Sequence, residues 1–301
     1  MHIPVLADKV LEFLQPEENR IYVDATLGCG GHTIKIFEKC SNCKVIGIEL
    51  DSEAIEFAKQ RLKNFVFENK LTIVKENFIN IKKILENLNI EKVDGVIFDF
   101  GLSMLQLRSK RGFSFNDDTL DMRFDPSSNP VTASYVLNNF SEKQLSEIFY
   151  KYGQEKKCSL IAKKIVEYRK HKKITKAKEL TEIVTSVIKR KDKKNLYLSN
   201  KETLKIKFNP ATKIFQALRI YVNNELENIE KGLDEAIDVL KPKGKVIALS
   251  YHSLEDRIIK NKFKARGDCI VLTKKPITPD VEEIKNNLSA RSAKLRVAEK
   301  I

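Results

Sequence analysis

Apolar residues fall in short runs along the first hundred positions, and helix-like stretches separate the runs. Ile21-Tyr-Val-Asp24, Lys44-Val-Ile-Gly-Ile-Glu49, Leu71-Thr-Ile-Val74 and Val93-Asp-Gly-Val-Ile-Phe-Asp99 each read as a strand. Between them, the stretches near 32–40, 52–65 and 79–89 carry helical patterns. Strands alternating with helices of this length predict βαβ units and a parallel sheet. The Val/Ile runs are nearly continuous, which fits strands covered on both faces.

The rhythm then breaks. From about 108 to 205 no strand is expected. Ser141-Glu-Lys-Gln144 has the form of a capping box, with Leu145, Ile148 and Phe149 at helical spacing behind it. Residues 159–170 and 177–189 also read as helices, and Lys189-Arg-Lys-Asp-Lys-Lys194 as an exposed charge run. Alternation returns at Asn209-Pro-Ala-Thr212, which opens a long helix carrying Phe215, Leu218, Val222 and Leu226 on one side. Lys241-Pro-Lys-Gly244 predicts a turn, Lys245-Val-Ile-Ala-Leu-Ser250 a fifth core strand, and a helix follows from about 253. Segments near 269–273 and 293–299 suit an antiparallel pair at the sheet edge. The predicted organisation is an α/β domain, residues 1–107 and 206–301, interrupted by a helical insertion at 108–205.

Charge sharpens that division. The chain carries a net +14, and the segment from Lys151 to Lys213 holds 20 basic and 6 acidic residues, which is the whole excess. A concentrated basic segment is the electrostatic footprint of a polyanion binder; the plain alternative is a solvated lysine-rich face. No apolar run approaches the ~18–20 residues that span a bilayer. Met1-His2-Ile3-Pro4 lacks the basic and apolar regions of a secretory signal, so the expected location is the cytoplasm. The five cysteines are odd in number and scattered, which argues against a disulfide framework. Cys40-Ser-Asn-Cys43 is a lone CxxC with no second pair, so no metal is expected.

The first strand leads directly into Asp24-Ala-Thr-Leu-Gly28-Cys29-Gly30-Gly31-His32. Glycines there permit positive φ and close approach of backbone to a ligand. The first crevice of an open α/β sheet is the usual ligand site. Glu49 ends the second strand 21 residues after Gly28, where an acid can accept from ribose hydroxyls. A dinucleotide fingerprint would want glycine at position 33, and Thr33 counts against NAD. Asp99 ends the fourth strand and points into the same crevice. The spacing D-x-x-x-G-x-G resembles that of nucleoside-methylating enzymes.

The motifs together carry a closer likeness. They are His2-Ile-Pro-Val-Leu6, Asp24 to Gly28 with Gly30-Gly31-His32, Asp94-Gly95 leading to Asp99, and Arg111-Gly-Phe-Ser-Phe115. They continue with Leu120-Asp-Met-Arg123, Asp125-Pro126, Tyr152-Gly153, Pro210-Ala-Thr212 and Phe215-Gln-Ala-Leu-Arg-Ile220. Near the end stand His252-Ser-Leu-Glu-Asp-Arg257 and Arg291-Ser-Ala-Lys-Leu-Arg296. Nearly end to end, the chain resembles the bacterial 16S rRNA cytosine-N4 methyltransferases. The resemblance implies a class I S-adenosylmethionine-dependent methyltransferase domain, Rossmann-like with a mostly parallel sheet, and a helical insertion for substrate recognition. It implies S-adenosylmethionine as cofactor and N4 methylation of cytidine 1402 in the decoding centre of 16S rRNA. The cofactor contacts it implies fall on Gly30, Gly31, His32, Glu49, Phe78, Asp99 and Gln106. The family usually has Asp where Glu49 stands, its Ser-Ser-Pro-Gln loop reads Ser103-Met-Leu-Gln106, and its His-Pro-Ala-Thr-Arg reads Asn209-Pro-Ala-Thr-Lys213.

Methyl transfer from a sulfonium is an in-line displacement that gains mainly from positioning. The cytosine amine is a poor nucleophile, so a site must orient it, accept its proton and exclude water. Asp99, Ser103 and His252 stand at strand ends where they can serve, although Ser253 with Asp256 also has the form of a capping box. C5 methylation would need a nucleophilic cysteine. The Pro-Cys pair of many such enzymes is absent, as is the amino-methyltransferase tetrapeptide of Asp or Asn, Pro-Pro and an aromatic. N4 therefore rests on the resemblance. Arg111, Phe113 and Phe115 form a basic-aromatic cluster suited to an extruded base, or else both Phe rings seal the insertion. Arg219 is a further expected substrate contact. The expected partner is 16S rRNA within an assembled or nearly assembled small subunit, with no membrane. The oligomeric state stays open, a homodimer being one arrangement. The rivals are a methyltransferase of small molecules or proteins, which leaves the basic segment unexplained, and an inactive assembly factor, which Gly30, Gly31 and Asp99 argue against.

Overall fold

A computed structural model of the chain describes residues 4–188, 194–197, 203–206 and 209–301. His2 and most of the charge run read at 189–194 lie outside the described residues. Nine strands occur in chain order: β1 (Ile21–Asp24), β2 (Lys44–Glu49), β3 (Leu71–Lys75), β4 (Val93–Asp99), β5 (Lys194–Tyr197), β6 (Thr203–Ile206), β7 (Leu240–Ser250), β8 (Cys269–Val271) and β9 (Lys294–Lys300). The chain forms two compact units, Met1–Ser103 with Leu226–Ile301, and Met104–Glu225.

The first unit holds a seven-stranded sheet in the order β3-β2-β1-β4-β7-β9-β8. β3 through β7 run parallel in that order, and β9 and β8 add the antiparallel edge. Successive side chains of a strand point to opposite faces. In β7, Ile247 and Leu249 join Tyr22, Ile97, Val10, Leu14 and Ile36 in one apolar layer. Val246 and Ala248 join Val23, Val96, Phe98, Ile84, Leu233 and Phe263 in the other. Helices cover both faces, which is why the runs read as continuous rather than alternating. The turn expected at Lys241–Gly244 is a bulge inside β7: its register to β4 jumps from Val93–Leu240 to Gly95–Lys245, and Lys243 takes φ 65°.

The second unit is mainly helical, with helices at Ala133–Asn139, Glu142–Lys151, Cys158–Arg169, Ala177–Val187 and Thr212–Asn223. Ser141 and Gln144 exchange the two bonds of a capping box, and Leu145, Ile148 and Phe149 are buried behind it. Two expectations are corrected. The 108–205 stretch contains strands, β5 and β6, paired antiparallel. Four residues each, among lysines, are too few for period-two alternation to show. The long helix from 212 is two helices, because Asn224 adopts the left-handed conformation (φ 51°) and a new helix begins at Glu225. Asn tolerates that conformation better than most residues.

Candidate active site at the carboxyl edge of the sheet

The register builds the site. Asp24 at the end of β1 pairs with Gly47 of β2 and Ile97 of β4. Glu49 and Asp99 each stand two residues beyond those partners, so they flank the turn that leaves β1. Asp99 pairs with Leu249 of β7, which delivers Tyr251 to the same edge.

The turn is held open by backbone geometry. Gly28 and Gly30 take φ 50° and 74°. A Cβ on Gly30 would lie 2.4 Å from Leu62 Cδ1, whereas one on Gly28 would meet nothing closer than 3.8 Å. Gly30 is therefore constrained by packing, and Gly28 presents bare backbone. Pro4 lies against Gly31, where a Cβ would come within 3.2 Å of its ring. Below the turn, the Thr33 hydroxyl donates to Asp24 Oδ2 at 2.7 Å, fixing the helix Gly31–Lys39 to the strand.

Glu49 accepts from three backbone N–H groups: Gly28 at 2.8 Å, and Leu50 and Asp51 at 2.9 Å each. Burial still pushes its carboxyl above the ordinary value, against the pull of those donors. Asp51, not Glu49, caps the following helix by accepting from the Glu53 N–H. Across the turn, the Asp99 N–H donates to Thr26 Oγ1 at 2.6 Å, and the Tyr251 hydroxyl donates to Asp99 Oδ1 at 2.7 Å. His32 Nε2 lies 3.5 Å from Asp99 Oδ2, an ion-pair distance. Burial pushes the Asp99 carboxyl up, but His32 and Tyr251 outweigh it and hold it below the usual range. Burial draws the His32 imidazole down, and Asp99 and Asp24 more than reverse this. Burial dominates at Asp24 and raises its pKa, with His32 and Thr33 opposing. Neither ring nitrogen of His32, nor Asp24 Oδ1, has a hydrogen-bond partner among the described residues. Buried polar atoms of that kind call for a ligand or water.

Phe78 stands behind this edge. Its ring lies 5.5 Å from Phe98 and 5.8 Å from Phe100, and Gly232 leaves room for it. Ser103 closes the first unit beside Gly28.

Known proteins resemble the whole chain. Ribosomal RNA small subunit methyltransferase H of Sulfurihydrogenibium sp. is 47% identical over 304 residues, covering 100% of this chain and 99% of that one. The protein of that name from Caldicellulosiruptor saccharolyticus is 44% identical over 322 residues, with 100% and 99% covered. The MraW methylase family matches residues 1–301. The chain belongs to the MraW methylase family. The family is one of methylases, and the unit that carries the site is α/β with a mostly parallel seven-stranded sheet. Among solved structures, an rRNA methylase from Streptococcus thermophilus has a TM-score of 0.46 and 11% identity, covering 100% of this chain and 99% of that one.

In this MraW-family chain the remaining expected residues are placed as follows. His252 is the N-cap of the helix Ser253–Ala265: its Nδ1 accepts from the Glu255 N–H at 3.3 Å, and the Glu255 carboxylate accepts from the His252 N–H at 3.2 Å. The capping box is thus His252 with Glu255, one residue earlier than the Ser253–Asp256 pair expected. Asp256 instead takes Arg296 Nε at 2.6 Å and Lys294 Nζ at 3.1 Å, which gives the Arg291–Arg296 motif a structural use. Gln106 is buried in the second unit. In that unit Arg111 donates to the Arg123 and Phe124 carbonyls and lies over the Phe113 ring. Phe113 stacks on Phe124 at 5.8 Å, and Phe115 meets Phe215 edge-on at 4.7 Å. Arg219 forks onto Glu225, at 2.8 and 2.9 Å. Two residues and one contact went unread in the sequence: Tyr251, Thr26 and the Thr33–Asp24 hydrogen bond. Only the strand-end position of Tyr251, beside His252, marked it.

Proposed function

We propose that this protein methylates N4 of the cytidine at position 1402 of 16S rRNA, in the decoding centre of the small subunit. The observation that carries the reading is end-to-end likeness to proteins named ribosomal RNA small subunit methyltransferase H, at 47% and 44% identity. The N4 atom and the position come from the motif set, and the charge distribution agrees. The basic segment between Lys151 and Lys213 supplies the rRNA contacts. Arg111, Phe113, Phe115 and Arg219 have their side chains occupied within the second unit, so we assign them to shaping the RNA-binding insertion. No helix among the described residues is long and apolar enough to cross a membrane, and we place the enzyme in the cytoplasm.

The sheet edge fits the cofactor. Asp24, Glu49 and Asp99 converge there against one imidazole, an anionic balance suited to a sulfonium and an ammonium group. His32 Nδ1 and Asp24 Oδ1, buried with no partner among the described residues, are the atoms such a ligand or its water would satisfy. Gly30, Gly31, His32, Glu49, Phe78 and Asp99 would hold S-adenosylmethionine, which supplies an electrophilic methyl group when bound. Glu49 Oε2 accepts only one backbone donor and keeps an acceptor position for a ribose hydroxyl. Asp99 accepts the proton released by the cytosine amine, directly or through water, and Ser103 helps to orient that amine. Because the side chain of His252 caps a helix, we assign it to holding the strand end in place.

Labelled cofactor tests the reading. With the purified protein and small subunits lacking the modification, label should enter rRNA and not ribosomal protein. Label in protein alone would sink the proposal. A folded decoding site favours an assembled or nearly assembled subunit as substrate; equal rates on naked 16S rRNA would remove that part.

A further inference from the structure

The Tyr251 hydroxyl donates to Asp99 Oδ1 at 2.7 Å, and its ring lies flush on Gly101, where a Cβ would come within 2.6 Å of Cε2. The ring is thus held by packing and the hydroxyl by one carboxylate. Asp99 is held from several sides: Thr26 takes its N–H, His32 faces Oδ2 at 3.5 Å, Tyr251 donates to Oδ1, and the Gly101 backbone N–H donates to the carboxylate.

We propose that Tyr251 is a positioning residue for methyl transfer, fixing the rotamer of Asp99 so that the remaining lone pair on Oδ1 meets the amine proton. The inference rests on the methyl-transfer reading above. A carboxylate at a strand end has several rotamers, and a donor on one oxygen selects among them. Bonds to a charged acceptor are about twice as strong as neutral ones. Tyr251 suits the task because it stays protonated: burial and the neighbouring Asp99 push its pKa well above the ordinary phenol value. The other charged groups at the cluster are His32 and Asp24 around Asp99, with Glu255 and Glu283 on the far side of Tyr251. None of them offers Asp99 a second hydroxyl donor.

Tyr251→Phe removes the hydroxyl and keeps the ring. Single-turnover methylation of unmodified small subunits should slow about tenfold, while cofactor affinity by calorimetry and the melting temperature fall by clearly less. Tyr251→Ala, which also loses the ring, should weaken cofactor binding and stability as well. An unchanged rate in Tyr251→Phe overturns the proposal. So does a rate loss matched by an equal loss of cofactor affinity or of melting temperature, which marks a structural role only. The wild-type reaction is the control: if it puts no methyl on rRNA, the proposed function fails, independently of Tyr251.

Discussion

At the scale of single residues, the site depends on positions where little can change. Gly30 combines φ 74° with a Cβ position 2.4 Å from Leu62. Gly30→Ala should cost about 1–3 kcal/mol of stability and weaken cofactor binding at least tenfold, read by melting and calorimetry together. His32 gives a pH test. Its imidazole binds a proton more tightly in the fold than in the unfolded chain, because Asp99 and Asp24 outweigh its burial. Folding therefore gains from His32 fully below about pH 6.5, the ordinary value. The gain fades as pH rises through the elevated folded value. The stability gap between wild type and His32→Gln, measured in denaturant, should be widest in acid and close on the alkaline side. A gap that widens with pH would refute the assignment. Gly28, Gly30, Glu49 and Asp99 were legible in the sequence because glycine spacing and strand-end acids are short-range signals. Tyr251 was not, since its partner lies 152 residues away and only the β4–β7 register brings them together.

Elements show the same limit. β1, β2 and β4 were read because burial on both faces leaves a nearly continuous apolar run. The helix Ala7–Leu14 went unread, and the break at Asn224 depends on one left-handed residue. The cap at His252 was read one residue late because Ser is the commoner cap; a neutral imidazole Nδ1 can also accept from a backbone N–H. His252 separates structure from chemistry. His252→Ala should cost about 1 kcal/mol, and His252→Asn should restore most of it. If capping is its role, methylation recovers with stability in the Asn variant. Recovered stability with lost activity would return His252 to the chemistry.

For the whole molecule, we assign cofactor binding to the sheet-bearing unit and rRNA binding to the basic segment. Residues 151–188 alone carry 11 basic and 4 acidic side chains. Lys163, Lys170 and Lys173 are exposed there. Changing all three to Gln should weaken subunit binding and lower the slope of log affinity against log salt by roughly 2, at about 0.7–0.9 per phosphate contact. Cofactor affinity should not move. Strand rhythm breaks near residue 108 and the basic excess begins only at Lys151, whereas the compact second unit runs from Met104 to Glu225.

The most direct measurement is mass spectrometry of nucleosides and mapped fragments from 16S rRNA. Small subunits lacking the modification would be incubated with this protein and S-adenosylmethionine. N4-methylcytidine at position 1402, approaching one per subunit, is the predicted result. A methyl group on C5, on another nucleotide, or nowhere in the rRNA would contradict the account.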